Sequence, residues 1–194
     1  VNARGGGLRA GARGRLRVVP DSAVSEPPQD VPDEPDADPE EVARSICLRM
    51  LTYRPCTRAE LATELRRRRV PDDAAEAVLA RFDDVGLVDD RAFATAWVER
   101  QRRTRGLSRR ALATELRRKG VGDEDVAETV SSVSDDDERI RAAELVARKL
   151  SSVRSLDHDR QVNRLVGMLA RKGYGAGVAY AVVREALGDV EREY

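Results

Sequence analysis

"LATELRR" occupies Leu61–Arg67, and the same seven residues return as Leu112–Arg118. An identical heptad 51 positions later in a chain of 194 residues marks an internal repeat rather than a coincidence. Leu61 and Leu65, and again Leu112 and Leu116, stand at i and i+4, the spacing of one helical face. Each copy runs into a basic end followed by a break, "RRRRVPDD" in the first and "RRKGVGDED" in the second. The repeated unit is therefore a short helix with a buried leucine pair and a cationic C-terminus.

Working outward, the flanking segments repeat as well. Ala43, Ile46, Cys47, Met50 and Leu51 follow the helical period ahead of the first copy. "RPCT" stops that helix, and Thr57 with Glu60 has the form of a capping box for the next. After the break, Ala75, Val78, Leu79 and Phe82 define a third helix ending near Gly86. Asp89 and Asp90 open the second unit, whose first helix buries Phe93, Ala94, Trp97 and Val98. Ser108 caps the helix of the repeat, and Val126, Val130 and Val133 complete the unit. A weaker third copy follows when Leu165 and Leu169 are set beneath Leu112 and Leu116, which aligns "MLARKGYGAGVAYAVV" with "TELRRKGVGDEDVAETV". Its first helix is expected near Glu138–Leu150, with Ile140, Ala143, Ala147 and Leu150 inward. The predicted fold is all-α: three tandem three-helix modules, residues 39–88, 89–134 and 135–194, forming an elongated, curved array. Residues 1–38, rich in Gly and Arg and then in Pro and acid, lack apolar periodicity and are expected to be a disordered tail.

Aromatic residues make up 4% and charged residues 36% of the chain, a helical composition with small cores. The formal charge of +0 hides a strong local polarity. Glu99 to Lys119 carries nine basic and two acidic residues, whereas Gly120 to Glu138 carries eight acidic residues and no basic one. Such a dipolar surface suits an acidic or polyanionic partner on one side only. Two cysteines, Cys47 and Cys56, are too few for a disulfide framework and read as reduced thiols. With no apolar run long enough to span a bilayer and no secretory h-region, the expected location is the cytoplasm.

At this point the residues carry a resemblance. "GLVDDRAFATAWVERQRRTRGLSRRALATELRRKGV", Gly86 to Val121, read with "RAELATELRRRRV" one module earlier, resembles the RecX family, small bacterial proteins that modulate the RecA recombinase. The family's glycine, acidic pair and Phe-Ala correspond to Gly86, Asp89, Asp90, Phe93 and Ala94, and its "EL..KG" helix end to Glu115, Leu116, Lys119 and Gly120. The match runs over about residues 40 to 188. One departure stands out: Arg69 occupies the glycine slot of the first module. The resemblance implies a negative regulator in recombination, DNA repair and the SOS response. Such a protein lies along the RecA–single-stranded DNA filament and damps ATP hydrolysis, strand exchange and co-protease activity.

The residues themselves show no catalytic constellation. His158 is the single histidine, and Asp157 and Asp159 beside it do not share its helix face. Cys47 and Cys56 have no histidine at zinc-ligand spacing, and neither "GLRAGARG" nor "GYGAG" is a phosphate loop. No enzyme activity, metal or cofactor is expected. The candidate partner-facing cations are Arg66, Arg67, Arg68 and Arg69; Arg102, Arg103, Arg105, Arg109 and Arg110; Arg117, Arg118 and Lys119; and Arg171 and Lys172. Cations at a helix C-terminus oppose its dipole, but that effect fades within a turn and does not require four consecutive arginines. Their recurrence points to a periodic basic edge on a monomer, meeting acidic protein, DNA phosphate or both. The competing reading is a plain helical nucleic-acid binder, with weak contact to single-stranded or duplex DNA and no RecA partner. Trp97, at i+4 from Phe93 on an apolar face, reads as core rather than as a stacking platform.

Overall fold

A computed structural model describes residues 38–188, and every regular element among them is an α-helix. In chain order these are α1 (Pro39–Tyr53), α2 (Arg58–Arg67), α3 (Asp72–Asp84), α4 (Asp90–Arg105) and α5 (Arg109–Arg118), followed by α6 (Asp123–Ser131), α7 (Asp135–Leu150), α8 (His158–Arg171) and α9 (Ala176–Leu187). The expected disordered tail lies outside the described residues except at its last position, Asp38. None of these helices is long and apolar enough to cross a membrane.

Helix starts are encoded one residue at a time. The side chains of Asp38, Thr57, Asp89, Ser108, Ser134 and Asp157 each accept a hydrogen bond from a backbone N–H in the first turn of the helix that follows. A cap of this kind contributes about 1 kcal/mol. α3 and α6 start without a side-chain cap and instead place Asp72 and Asp73, or Asp123, Glu124 and Asp125, against the positive end of the helix dipole. Thr57 caps α2 through the Glu60 N–H, but Glu60 does not return the bond and so does not complete a capping box. Its carboxylate is drawn instead to Arg54 and Lys119.

Each successive set of three helices encloses its own apolar cluster. Ile46, Leu61, Leu65, Leu79 and Phe82 anchor the first, Trp97, Leu112, Leu116 and Val126 the second, and Val146, Leu165, Leu169 and Val183 the third. The leucine pair of the repeat and its counterpart in the third copy are fully excluded from solvent in all three. Truncating any one of these leucines to alanine would cost about 2–5 kcal/mol. Trp97 is buried and Phe93 packs at the margin of the second cluster.

The expected face of α7 is wrong. Ile140, Ala143 and Ala147 point to solvent, and Ala142, Leu145 and Val146 are buried, with Leu150 packing against the cluster. Ala142, Leu145, Val146, Leu150 and Val153 form the longer helical series. Anchoring on Ile140, a large residue but an isolated one, rotates the helix away from it.

Candidate functional site

The basic helix ends meet the rest of the molecule through two joints of related construction. In the first, the C-terminal end of α5 rests on the N-terminal end of α2. Thr57 Oγ1 donates to the Lys119 carbonyl at 2.7 Å while it accepts from the Glu60 N–H. Lys119 Nζ donates to Glu60 at 2.9 Å and lies 5.7 Å from the centroid of the Phe93 ring. Burial pushes the Glu60 carboxyl up, but hydrogen bonds from Arg54 and Lys119 outweigh burial and hold it below its usual range. The Arg58 N–H at the start of α2 donates to Asp90 of α4 at 2.8 Å.

The residue after Lys119 explains the Lys-Gly step. Gly120 has φ +81°, and a Cβ there would come closer than 3.0 Å to the Cβ of Ala59. Glycine is required twice over, for the left-handed backbone and for the approach of two helix ends.

In the second joint, the C-terminal end of α8 rests on the N-terminal end of α5. The Ser108 N–H donates to the Lys172 carbonyl at 3.0 Å, and the Arg109 N–H donates to Glu138 of α7 at 2.9 Å. A Cβ on Gly173, φ +90°, would lie 2.5 Å from Ser108 Oγ and 2.7 Å from Ala111 Cβ. Three carbonyls at the end of α4 are satisfied by side chains from the third set of helices. Arg141 donates to Arg103 O at 2.7 Å, Lys172 donates to Arg105 O, and the Tyr174 hydroxyl donates to Gly106 O at 3.1 Å. Burial pushes the Tyr174 phenol up to about 12, so it remains a donor at any physiological pH.

The cations expected to face a partner therefore divide into two groups. Lys119 is neutralised by Glu60 in the first joint, Lys172 meets a backbone carbonyl in the second, and Arg109 is held by Glu138 and Asp135. Arg105 pairs with Glu115 at 2.9 Å and Arg117 with Asp123 at 2.7 Å. Glu64 takes both Arg67 and Arg68 at 2.8 Å, and hydrogen bonds, Arg67 first, bring its carboxyl down to about 2. Arg66 reaches only the Ala62 carbonyl, at 3.3 Å. Arg69, Arg103, Arg110, Arg118 and Arg171 have exposed side chains, and Arg102 is half-buried. Among the described residues, the α2 end meets no helix start of the kind that receives the ends of α5 and α8. Arg69 there adopts φ +58°, where the other two copies have glycine. An L-residue in this region costs about 1–2 kcal/mol, tolerable where no neighbour presses on the Cβ.

A cleft of about 400 Å³ opens over the first joint, bordered by Met50, Arg54, Glu60, Glu64, Arg118 and Lys119. Its two carboxylates and three cations make it an ion-pair network rather than an open cationic pocket. At the second joint the balance differs. The position matching Glu60 is Ala111, and Lys172 has no carboxylate partner. Burial, then the charges of Arg105, Arg148 and Arg141, hold the Lys172 ammonium below its usual range. Arg141 and Arg148 on α7 were not among the expected cations. Their signal in the sequence is faint, because α7 begins with Asp135, Asp136, Asp137 and Glu138 and its average charge conceals a basic C-terminal half.

The family model described as the first three-helix domain of RecX matches residues 43–82, and the one described as its second three-helix domain matches residues 89–130. The chain is 55% identical over 154 residues to the regulatory protein RecX of Streptomyces coelicolor, covering 79% of this chain and 82% of that one. It is 49% identical over 172 residues to the protein of that name from Thermobifida fusca, covering 87% and 92%. Among solved structures it is similar to RecX from Lactobacillus salivarius, with a TM-score of 0.71 at 18% identity, covering 79% of this chain and 99% of that one. A crystal structure of a regulatory protein RecX gives a TM-score of 0.66 at 22% identity, covering 79% and 73%.

Proposed function

The chain belongs to the RecX family, and from that premise we propose that it is a negative regulator of RecA, acting in the cytoplasm as a monomer. Its three helix sets, residues 39–88, 89–134 and 135–194, serve as modules that dock along the RecA–single-stranded DNA filament. Docked there, they restrain ATP hydrolysis, strand exchange and co-protease activity without chemistry of their own. The observation that carries this reading is the repeated joint. Lys119-Gly120 on Thr57 and Lys172-Gly173 on Ser108 set the arginine-bearing helices in succession at related places. A partner that is itself periodic can meet such a series at more than one point, and linked contacts raise avidity beyond either alone.

The same joints speak against a helix-turn-helix reading of the basic helices. A recognition helix presents its N-terminal residues to base edges. Here the N-terminal N–H groups of α2 and α5 are occupied by Asp90 and Glu138 of the next helix set. The deciding experiment adds the purified chain to preformed RecA filaments and follows ATP hydrolysis. Inhibition at protein far below the RecA concentration is expected. Undiminished hydrolysis at equimolar protein refutes the reading.

A further inference from the structure

The two joints are built alike but charged differently, and the difference has a chemical consequence. At the first, Lys119 faces Glu60, which also holds Arg54 at 2.7 Å. At the second, Ala111 stands where Glu60 would be, and Lys172 finds only the Arg105 carbonyl, among the guanidinium groups of Arg105, Arg141 and Arg148. Capping the end of α4 explains part of this charge, because a helix C-terminus carries about half a negative charge. Lys172 and Arg141 already exceed that. The nearby carboxylates are spent elsewhere, Glu115 on Arg105 and Glu144 on Arg141. Arg103 and Arg148 are exposed, and neither makes an ion pair with a carboxylate among the described residues. Arg141 Nε is buried without a hydrogen-bond partner. Cations gathered from α4, α7 and the end of α8 without enough counter-charge call for an anion from outside the chain.

We propose that the second joint is a binding site for the phosphodiester backbone of a single nucleic-acid strand, contacted by Arg103, Arg148 and Lys172 and supported by Arg105 and Arg141. A lone phosphate would be neutralised by two cations, whereas this surface spreads its excess over three helices and continues to exposed Arg171. An extended polyanion matches that spread. Binding there would also tighten the joint, since α4, α7 and α8 all contribute. The inference rests on the RecA reading only for its setting and names a surface that the repeated heptads do not include.

The test uses the full chain without RecA, titrated against a fluorescein-labelled oligodeoxythymidine and followed by anisotropy across a salt series. Arg148→Ala should lower the slope of log affinity against log salt by about one, as loss of one phosphate contact requires. Arg103→Glu with Arg148→Glu should weaken binding at least about tenfold, the scale of like-charge juxtaposition. Ala111→Glu, which supplies the carboxylate of the first joint, should weaken it in the same direction. Arg66→Glu with Arg69→Glu, at the end of α2 and away from the second joint, should leave affinity within about twofold. The proposal is overturned if the wild-type chain does not bind, if the α2 pair matters and the α4–α7 pair does not, or if inorganic phosphate competes as well as an unlabelled strand of equal phosphate content. Loss of RecA inhibition with oligonucleotide binding intact would refute the functional reading and leave this site standing; the reverse would refute this site alone.

Discussion

Gly120→Ala isolates the joint as a structural device. The substitution has two costs. The first is the left-handed backbone, φ +81°, which an L-residue adopts at about 1–2 kcal/mol. The second is steric, because the new methyl would press into Ala59 Cβ at less than 3.0 Å, and a clash between two helix ends is of the overpacking kind, about 1–3 kcal/mol. Gly86→Ala provides the reference: its φ is +69°, and a Cβ there meets nothing within 4 Å. Only the first cost applies to it. Urea denaturation monitored by circular dichroism should show Gly86→Ala losing about 1–2 kcal/mol and Gly120→Ala about 2–5 kcal/mol. If the clash is relieved by parting the joint, the Gly120 variant should also unfold over a broader range, as helix sets that no longer support one another lose cooperativity. Equal destabilisation by the two variants, with equal transition slopes, would show that α5 does not rest on α2 and would remove the basis for the tandem arrangement.

Other outcomes follow from the same geometry. Trp97→Ala should cost about 3–5 kcal/mol by equilibrium unfolding, since the buried ring fills the second cluster. A loss under about 1 kcal/mol would remove the ring from the core. Glu64 is an acid whose folded value is depressed from 4.5 to about 2, so its stabilisation is complete above the unfolded value and is lost as pH falls from about 4.5 toward 2. Glu64→Gln should flatten that limb of the stability profile, and an unchanged limb would contradict the pairing with Arg67 and Arg68. Arg117→Glu with Arg118→Glu, leaving Lys119 and its joint in place, should preserve helicity and weaken inhibition of RecA, most steeply at low salt where exposed charge is least screened. Full inhibition by that variant at low salt would take this edge out of the interface.

The helix order, the leucine pairs and the helix starts at Thr57, Asp89 and Ser108 were legible because each rests on local rules: apolar period, Ser, Thr or Asp at the N-cap, and Gly or Pro at the break. What failed were features set by distant residues. Glu60 has the spacing for a capping box, yet it is drawn away by Lys119, 59 residues later in the chain. Lys172 reads as another cation at a helix end, and its role depends on meeting the last carbonyls of α4. Asp135 and Asp137 read as a surplus acidic stretch. In the fold Asp137 completes the capping box of α7 with Ser134, and Asp135 holds Arg109. A charge run in a tandem array is thus as often adhesive between modules as available to a partner, and sequence alone cannot divide the two.

One mismatch in the repeat did carry that long-range information. If the Lys-Gly step merely ended a helix, all three copies would need it equally, since the residue after the basic end has a positive φ in each. Arg69 shows that a side chain is permitted there where no described helix start closes on it, so the step serves something beyond the turn. In the two copies that retain glycine, the position abuts Ala59 or Ser108 and Ala111 of the preceding helix set. Among the described residues the first copy meets no such helix start, and of the three copies it alone has arginine. Of these three positions, glycine is thus confined to the two where helix ends close on each other. That asymmetry predicts that Arg69→Gly does not destabilise the fold. Relief of the strained backbone, about 1–2 kcal/mol, is only partly offset by the roughly 0.5–1 kcal/mol of extra unfolded-state entropy that glycine brings, for a net gain of about 0–1.5 kcal/mol. A stability loss above about 2 kcal/mol in urea would mean that the Arg69 side chain is itself part of the fold.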